Sequence, residues 1–390
     1  MSVGLADLGI ICTLGDDKSS VLATVISPTS RPQTCLSFDQ QLSLSERNYW
    51  VGKVRQPLPM IVERQFNTRN NQLIRHAFEQ IQKNFERISQ HVDPQRIAVI
   101  MGTSTSGIDS GEAAREKLLE GGQFPNDFYY SQQELNAPAE YIAHLAGAKG
   151  VRFGISTACS SSGKALLSAK ALIEADFADV VLCGGVDSLC KMTVNGFSAL
   201  DSTAHEFCQP FAAERDGINI AEGAALFIMT RESGAVNLLG GGASSDAYHV
   251  SAPEPSGTGA IAAMEQALQQ ANLSASEIDY VNAHGTGTLK NDAMESTALA
   301  TLFGACVPVS STKALTGHTL GAAGAIEAGI CWLLLSEHNP HQRLPVHFGQ
   351  IDPTCDHIMF SQGNAQNKLQ YCLSNSFAFG GNNVALVLGN

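Results

Sequence analysis

Short apolar runs of strand character alternate along this chain with segments of helical periodicity. Five of the strand-like runs are residues 96–101, 151–156, 179–183, 224–229 and 279–283. Between the second and third runs, apolar side chains recur at the spacing of one helix face: Ala165, Leu166, Ala169, Leu172 and Ile173. This alternation predicts an α/β fold.

The strand, turn and helix pattern appears a second time late in the chain. Residues 307–312 have strand character, a polar turn follows, and residues 320–335 are Ala-rich and helical. A polar turn leading into a Gly cluster at residues 231–242 is the best seam between two similar parts. We therefore predict two halves, residues 1–235 and 236–390.

Two regions show no clear period, residues 28–65 and 102–140, and we expect them to form loops and interface surface. The formal net charge of −13 argues against a broad surface for nucleic acid or for an anionic membrane. The most apolar late stretch, residues 322–335, is shorter than the roughly 20 residues of a membrane span and contains Glu327.

The N-terminal segment and the cysteines favour a cytoplasmic protein. No Lys or Arg precedes Lys18, and Asp7 interrupts the first apolar run, which is not the pattern of a signal peptide. The ten cysteines are scattered and form no CxxC pair, which predicts reduced thiols.

One of these cysteines, Cys159, lies in ISTACSSSG at residues 155–163, after a β-rich run and just before a helical segment. Free backbone N–H groups and the positive end of a helix dipole both favour a thiolate, so the pattern is typical of a nucleophile. The alternative is a small buried apolar cysteine, which is common among free cysteines. Both readings stay open on this motif alone.

Two histidines also follow strand-like runs. His284 lies in a turn of small residues, NAHGTGT, although a histidine at a strand end is often structural. His318 shares residues 311–327 with Lys313 and Glu327. Because Glu327 lies inside an apolar helix, its carboxylate needs a cation, and Lys313 is the nearest in sequence. The alternative is an exposed lysine and a solvated glutamate.

A Gly-rich turn at residues 375–383, NSFAFGGNN, could present a backbone N–H to an oxyanion, although a simple hairpin would explain it equally well. One Cys and two His suit thioester chemistry, in which a thiolate takes an acyl group and imidazoles donate to an enolate. Metal binding is the alternative use of these residues. No HExxH or paired CxxC motif supports it, so we expect no metal.

Six blocks, in this order along the chain, resemble those of the β-ketoacyl-acyl carrier protein synthases of the thiolase superfamily, the elongating condensing enzymes of type II fatty acid and polyketide synthesis. They are TACSSS (157–162), RDGINIAEGAA (215–225), SSDAYHVSAPEP (244–255), NAHGTGT (282–288), STKALTGHTLGAAGAIE (311–327) and NSFAFGGNN (375–383). The resemblance implies a thiolase-like five-layer αβαβα sandwich of two duplicated halves, usually a dimer.

The resemblance also implies roles for the residues of the predicted site. Cys159 matches the acyl-accepting nucleophile, while His284 and His318 match the pair that positions the malonyl thioester and supports its decarboxylation. Lys313 and Glu327 match the supporting ion pair. The implied product is a 3-oxoacyl-carrier protein two carbons longer than the acyl primer.

Further roles concern the substrate path. The resemblance implies an oxyanion hole from the N–H groups of Cys159 and Phe379, and a gate for the malonyl group from Phe377 and Phe379. Thr286 and Thr288 match the threonines that hold the phosphopantetheine arm of the acyl carrier protein. The resemblance implies no cofactor other than the phosphopantetheine arm of the carrier protein.

The chain departs from the family pattern in places. Ala378 replaces a Gly of the gating loop, Gln209 replaces a frequent basic residue, and Thr105 is polar where relatives place an apolar residue of the acyl pocket. With a net charge of −13, docking of an acidic carrier needs a local basic patch, for which Arg69 and Arg75 are candidates.

Three motifs resemble synthases of bacterial aryl polyene gene clusters: TRNNQ (68–72), GTSTSG (102–107) and CGGVDSLCK (183–191). That subgroup implies either a homodimer or a heterodimer with a Cys-less chain-length partner. Two alternatives are a non-catalytic chain-length factor, disfavoured by the presence of Cys159, His284 and His318, and a coenzyme A thiolase. A thiolase typically has a second catalytic cysteine where this chain has Phe379.

Overall fold

The structure is a computed structural model that describes residues 3–45 and 47–390. Its strands, in chain order, are β1 (Val3–Cys12), β2 (Ser37–Asp39), β3 (Tyr49–Val51), β4 (Ile97–Gly102), β5 (Arg152–Ile155), β6 (Val180–Asp187), β7 (Gly223–Thr230), β8 (Asn237–Ser245), β9 (Tyr280–Asn282), β10 (Pro308–Ser310), β11 (Arg343–Val346), β12 (Met359–Phe360), β13 (Gln362–Asn364), β14 (Tyr371–Ala378) and β15 (Asn382–Gly389).

The α-helices, in chain order, are α1 (Lys18–Val25), α2 (Pro32–Cys35), α3 (Arg69–Ser89), α4 (Ile108–Gly121), α5 (Ala137–Ala146), α6 (Ser161–Glu174), α7 (Lys191–Ala199), α8 (Thr258–Ala271), α9 (Leu289–Phe303), α10 (Lys313–Thr316) and α11 (Ala323–Leu335). Within the described part of the chain, no helix is both long and apolar enough to cross a membrane.

Eleven strands form one mixed sheet in which the same five-strand arrangement occurs twice. The first half has the order β5-β4-β6-β7-β1, and the second has β10-β9-β14-β15-β8 with β12 added beside β10. In each half the first three strands are parallel and the last two are antiparallel to their neighbours. The halves join where β1 pairs with β8. The predicted duplication is confirmed.

The helices complete five layers. α6 and α11 pack on each other between the two half-sheets, α3 and α5 cover the outer face of the first half, and α8 and α9 cover the outer face of the second. Every residue of α11 is buried, as expected for a central helix that is apolar all round. The predicted αβαβα sandwich is therefore confirmed.

The local expectations differ from the structure in both regions that were expected to be loops. Residues 28–65 contain the short elements α2, β2 and β3. The chain passes from β7 to β8 inside the predicted seam at residues 231–242, and the boundary at residue 235 stays a prediction. Residues 102–140 were expected to be loops, but they contain the 14-residue helix α4. Only Ala114 of α4 is buried, so this helix has no apolar stripe from which its period could be read.

Candidate active site

Cys159 lies in the sharp turn between β5 and α6, at the centre of the molecule. The preceding residue, Ala158, has a φ of +51°, a strained conformation that turns the chain abruptly into the helix. The hydroxyl of Ser161 accepts a hydrogen bond of 2.9 Å from the backbone N–H of Thr157 and closes the turn. The thiol is thus held in a fixed place at the start of a buried helix.

The environment of the thiol corrects one expectation. Burial raises the pKa of Cys159 to about 11, although Lys313 and the backbone N–H groups of Phe379 and Cys159 itself act to lower it. The position before the helix therefore does not by itself produce a thiolate, because the cost of burying the charge is larger. The resting group is a thiol that needs a proton acceptor.

His318 supplies an acceptor at the right distance. Its Nε2 lies 3.0 Å from the Sγ of Cys159. Burial, with a smaller effect from Lys313, holds the pKa of His318 well below its usual range, so the imidazole is neutral and can take a proton. Its backbone is fixed from both sides, because its N–H donates to Asn219 over 2.7 Å and its carbonyl accepts from Ala221 over 2.9 Å.

His284 follows β9 and faces His318 edge-on, with ring centroids 5.4 Å apart and an interplanar angle of 81°. The Nζ of Lys313 lies 2.6 Å from the carbonyl oxygen of His284 and 3.3 Å from its Nδ1. Because an ammonium group only donates, Nδ1 is an acceptor and Nε2 carries the proton. Burial and Lys313 hold the pKa of His284 well below its usual range, so the ring is a neutral donor.

Lys313 is itself paired with Glu327. Both side chains are almost fully buried, and the ammonium group donates to a carboxylate oxygen of Glu327. Burial raises the pKa of Glu327 to about 7, against the opposing effect of Lys313. The structure thus brings together all five residues that the sequence proposed for the centre of the site.

Glu295 is a part of the site that the sequence analysis missed. This fully buried residue of α9 accepts hydrogen bonds from the N–H groups of His284 (2.8 Å) and Gly285 (2.7 Å). Nearby, Asp292 accepts from the N–H groups of Thr286 and Gly287. The available signal was the spacing of three residues between the two carboxylates, which places them on one helix face beside the histidine loop.

A cavity of about 410 Å³ leads from the thiol to the surface. Its inner wall includes Cys159, His284 and His318, and its outer part is lined by the exposed residues Leu289 and Lys290. Thr286 and Thr288 also line the cavity, and their hydroxyl oxygens lie 2.9 Å apart.

The Gly-rich turn borders the same cavity. Phe377 and Phe379 both line it, and the ring of Phe379 packs on Phe197 with centroids 5.6 Å apart. The turn is tied to a neighbouring loop because the N–H of Gly380 donates to the carbonyl of Val250 over 2.8 Å. Gly380 has a φ of +80°, which favours glycine at that position.

Three predicted residues lie away from this cavity and have intramolecular partners. Thr105 is fully buried and its hydroxyl donates to Asp187 over 2.8 Å. Arg69 is held by two hydrogen bonds to the buried Glu222, at 2.5 and 2.7 Å. Arg75 pairs with Glu79 over 2.8 Å on the surface of α3. The acyl-pocket and docking roles of these residues remain predictions.

The donor atoms of Cys159, His284 and His318 lie within 4.8 Å of one another, so the trio also has the make-up of a metal site. The geometry alone leaves metal binding and thioester chemistry as two uses of one cluster.

Comparison with known proteins decides the family. Residues 61–235 match the model of the β-ketoacyl synthase N-terminal domain, and residues 236–346 match that of the C-terminal domain. Nodulation protein E of Rhizobium meliloti (strain 1021) is 33% identical over 304 residues, 75% of each chain. The 3-oxoacyl-[acyl-carrier-protein] synthase 2 of the same strain is 33% identical over 313 residues, 74% of this chain and 73% of that one.

Solved structures agree. The ketosynthase ApeO of Xenorhabdus doucetiae, in complex with its chain length factor ApeC, is 40% identical, with a TM-score of 0.94 over 100% of this chain and 98% of that one. A type II polyketide ketosynthase bound to its acyl-carrier protein, AntDE:AntF, is 25% identical, with a TM-score of 0.85 over 100% and 98%.

The chain belongs to the β-ketoacyl synthase family. It is an acyltransferase of the β-ketoacyl-acyl carrier protein synthase type, acting in fatty acid or polyketide chain elongation. Enzymes of this type act on substrates carried by phosphopantetheine and need no separate cofactor.

Proposed function

We propose that Cys159 is the acyl-accepting nucleophile of a decarboxylating 3-oxoacyl-acyl carrier protein synthase, and that His284 and His318 activate its two substrates. The observation that carries this proposal is the 3.0 Å contact between Cys159 Sγ and His318 Nε2, with His284 beside them in one cavity. A neutral base against a buried thiol is the arrangement that nucleophilic catalysis needs.

In the first step, the Sγ proton of Cys159 moves to Nε2 of His318, and the thiolate attacks the carbonyl carbon of the acyl thioester. The carbon–sulfur bond to the carrier's arm then breaks, and the arm's thiolate takes up the proton as it leaves. The N–H groups of Cys159 and Phe379, which already act on the sulfur, serve as the oxyanion hole.

In the second step, malonyl-carrier protein occupies the same cavity. The bond between the malonyl carboxylate carbon and the methylene carbon breaks, carbon dioxide leaves, and the electron pair remains on the methylene carbon. His284 Nε2–H donates to the resulting enolate oxygen, because Lys313 occupies its Nδ1. The carbanion attacks the acyl-Cys159 carbonyl, and the Cys159 thiolate leaves.

The outer cavity serves the carrier's arm. Thr286 and Thr288 present hydroxyl groups along the path to the surface, at the place where the amides of a phosphopantetheine chain need partners. Phe377 and Phe379 border the inner end, where an aromatic gate would control access of the malonyl group.

The pathway and partner are a finer part of the proposal. Identity of 40% over the whole chain to a ketosynthase solved with its chain length factor supports a heterodimer with a chain-length-factor-like subunit. The motifs at residues 68–72, 102–107 and 183–191 are the support for an aryl polyene pathway and a Cys-less partner. An acyl carrier protein is the second partner. A cytoplasmic location belongs to the proposal as well, since a catalytic thiol persists in a reducing compartment.

A homodimer is the competing assembly, as the resemblance to the β-ketoacyl-acyl carrier protein synthases implies. A chain-length factor or a coenzyme A thiolase fits the site less well. The thiol sulfur and one imidazole nitrogen of each histidine lie within 4.8 Å of one another, and Phe379 occupies the turn where a thiolase has its second cysteine.

The test is intact-protein mass spectrometry of the chain after incubation with acyl-carrier proteins of varied chain length, then with malonyl-carrier protein. We expect an acyl adduct on Cys159 that disappears as a 3-oxoacyl product forms. Cys159→Ala should form no adduct and should still bind the carrier. An adduct at wild-type rate in that variant would exclude Cys159 as the nucleophile.

The same measurement with a chain-length-factor subunit present and absent decides the assembly. Adduct formation only in its presence would support the heterodimer, and full activity of the chain alone would support the homodimer.

A further inference from the structure

Two of the polar motifs noted in the sequence meet at one buried carboxylate. Asp187, the last residue of β6, is fully buried. Its Oδ1 accepts hydrogen bonds from the hydroxyls of Thr103 and Thr105, both at 2.8 Å. The same oxygen accepts from the backbone N–H groups of Ser104 (2.8 Å) and Thr105 (2.7 Å). The loop after β4 is therefore folded around Asp187.

The second oxygen of Asp187 reaches the other half of the molecule. Its Oδ2 accepts from the backbone N–H of Ala322 over 3.0 Å, at the end of the turn that begins with His318. Gly321 packs so closely here that an added Cβ would lie 2.9 Å from this oxygen and 2.8 Å from the N and Oγ of Ser104. One carboxylate thus clamps the β4 loop to the turn of His318.

The turn needs such a contact because its backbone is strained. Leu320, two residues after His318, has a φ of +51°. A non-glycine residue in this conformation persists only when surrounding contacts fix it. Across residues 3–45 and 47–390 no cation pairs with Asp187, and burial raises its pKa. The five hydrogen bonds are therefore the interactions that stabilise this buried carboxylate.

We infer that Asp187 is a positioning residue that holds His318 against Cys159 and couples this geometry to the loop of residues 103–105. The inference deepens the proposed function and rests on it for the role of His318. The β4 loop is the one expected to border the acyl chain. Through Asp187, the reactivity of Cys159 would therefore depend on the acyl chain bound beside this loop.

The test measures alkylation of Cys159 by iodoacetamide, which needs neither carrier nor condensation. In Asp187→Asn, one acceptor oxygen becomes an N–H donor facing N–H groups, so the clamp opens. We expect alkylation of Cys159 to slow about tenfold at neutral pH, because displacement of a reacting group by a fraction of an ångström has effects of that order. Peptide mapping separates Cys159 from the exposed Cys306.

Glu222→Gln is the matched control. Glu222 is equally buried and also accepts backbone N–H groups, from Val54 and Leu189, but its side chain makes no hydrogen bond to the turn of His318. It should lower the melting temperature while leaving the alkylation rate at the wild-type value. Slow alkylation of Cys159 in Asp187→Asn, together with a wild-type alkylation rate in Glu222→Gln, would support the inference. Equal rates in folded Asp187→Asn and wild type would overturn it.

If Asp187→Asn does not fold, Thr105→Val and Thr105→Ser decide the question. Only valine removes the hydroxyl that donates to Asp187, so it alone should slow alkylation, and equal rates in the two variants would refute the coupling. Failure of the proposed function would show instead as a missing acyl adduct. An alkylation effect without an adduct would leave the link between Asp187 and His318 intact.

Discussion

The turns that carry Cys159 and His318 occupy equivalent positions in the two halves. Cys159 follows β5 and precedes α6, and His318 follows β10 and precedes α11, at the same place in the repeated strand order. The first turn is short, and Cys159 is the residue that it contributes to the five at the centre of the site. The second includes α10 and so adds the ammonium group of Lys313. The two halves thus contribute two equivalent turns that meet at the centre. Their difference separates the proposed nucleophile, Cys159, from the proposed base, His318, and from the charge of Lys313.

A second equivalent pair shows the same division. The loops after β4 and after β9 are each held by a buried carboxylate that accepts backbone N–H groups, Asp187 in one and Glu295 in the other. The second loop presents His284 to the cavity, while the first keeps Thr105 buried. The scaffold is repeated, and the side chains facing the centre decide which half does which chemistry.

Removal of the buried positive charge of Lys313, in the second half, should have the largest effect. Lys313→Met leaves Glu327 buried without its cation, which should lower the free energy of unfolding by about 3–5 kcal/mol. It should also release Nδ1 of His284 and reduce malonyl decarboxylation. Cys159→Ala, in the equivalent turn, should leave stability nearly unchanged. Denaturant titration of both variants measures the contrast.

Lys313→Met/Glu327→Gln is the control, because it removes both charges. Stability should largely return in this double variant while decarboxylation stays low. Equal stability of Lys313→Met and the wild type would show that the pair does not hold the second half together.

The next effect separates the two histidines. His318→Asn should slow acylation of Cys159 by about 10²- to 10⁴-fold, the usual contribution of a general base. His284→Asn should leave acylation close to normal and reduce decarboxylation of malonyl-carrier protein by about 10²- to 10³-fold, as for loss of an oxyanion donor. Acyl-adduct mass spectrometry and carbon dioxide release measure the two steps. The division of labour would be wrong if both variants lost both steps equally.

A smaller effect concerns the carboxylate behind His284. Burial raises the pKa of Glu295 from 4.5 to about 7, so the folded state binds this proton more tightly than the unfolded chain. The stability from this group is therefore complete below about pH 4.5 and is lost as the pH rises toward 7. Relative to the wild type, Glu295→Gln should gain about 2–3 kcal/mol across that window. Denaturation at several pH values measures the difference in the free energy of unfolding between Glu295→Gln and the wild type. This difference should not change with pH if the pKa of Glu295 is not raised in the folded state.

Features that depend on local sequence patterns could be predicted. These are most strands and helices, and the positions of Cys159 and His284 at strand ends. The raised pKa of Cys159, the bond between Glu295 and the His284 loop, and the partners of Thr105 depend on groups that folding brings from distant segments. Helix α4 escaped because a helix with one buried residue carries no apolar period.

The smallest effect tests whether an arginine of the first half serves docking. Arg75 is partly exposed and pairs with Glu79 one helical turn away, a contact that contributes at most about 0.5 kcal/mol. If Arg75 helps to attract an acidic carrier, Arg75→Ala should weaken carrier binding about two- to threefold at low salt, through a slower association rate. The melting temperature should stay the same, and Arg75→Lys, which keeps the charge, should bind as the wild type does. Arg69→Ala cannot serve this purpose, because it would leave the buried Glu222 without its partner and disturb the fold itself. Surface plasmon resonance at two salt concentrations measures the effect, and a carrier affinity that Arg75→Ala leaves unchanged at low salt would place the docking surface elsewhere.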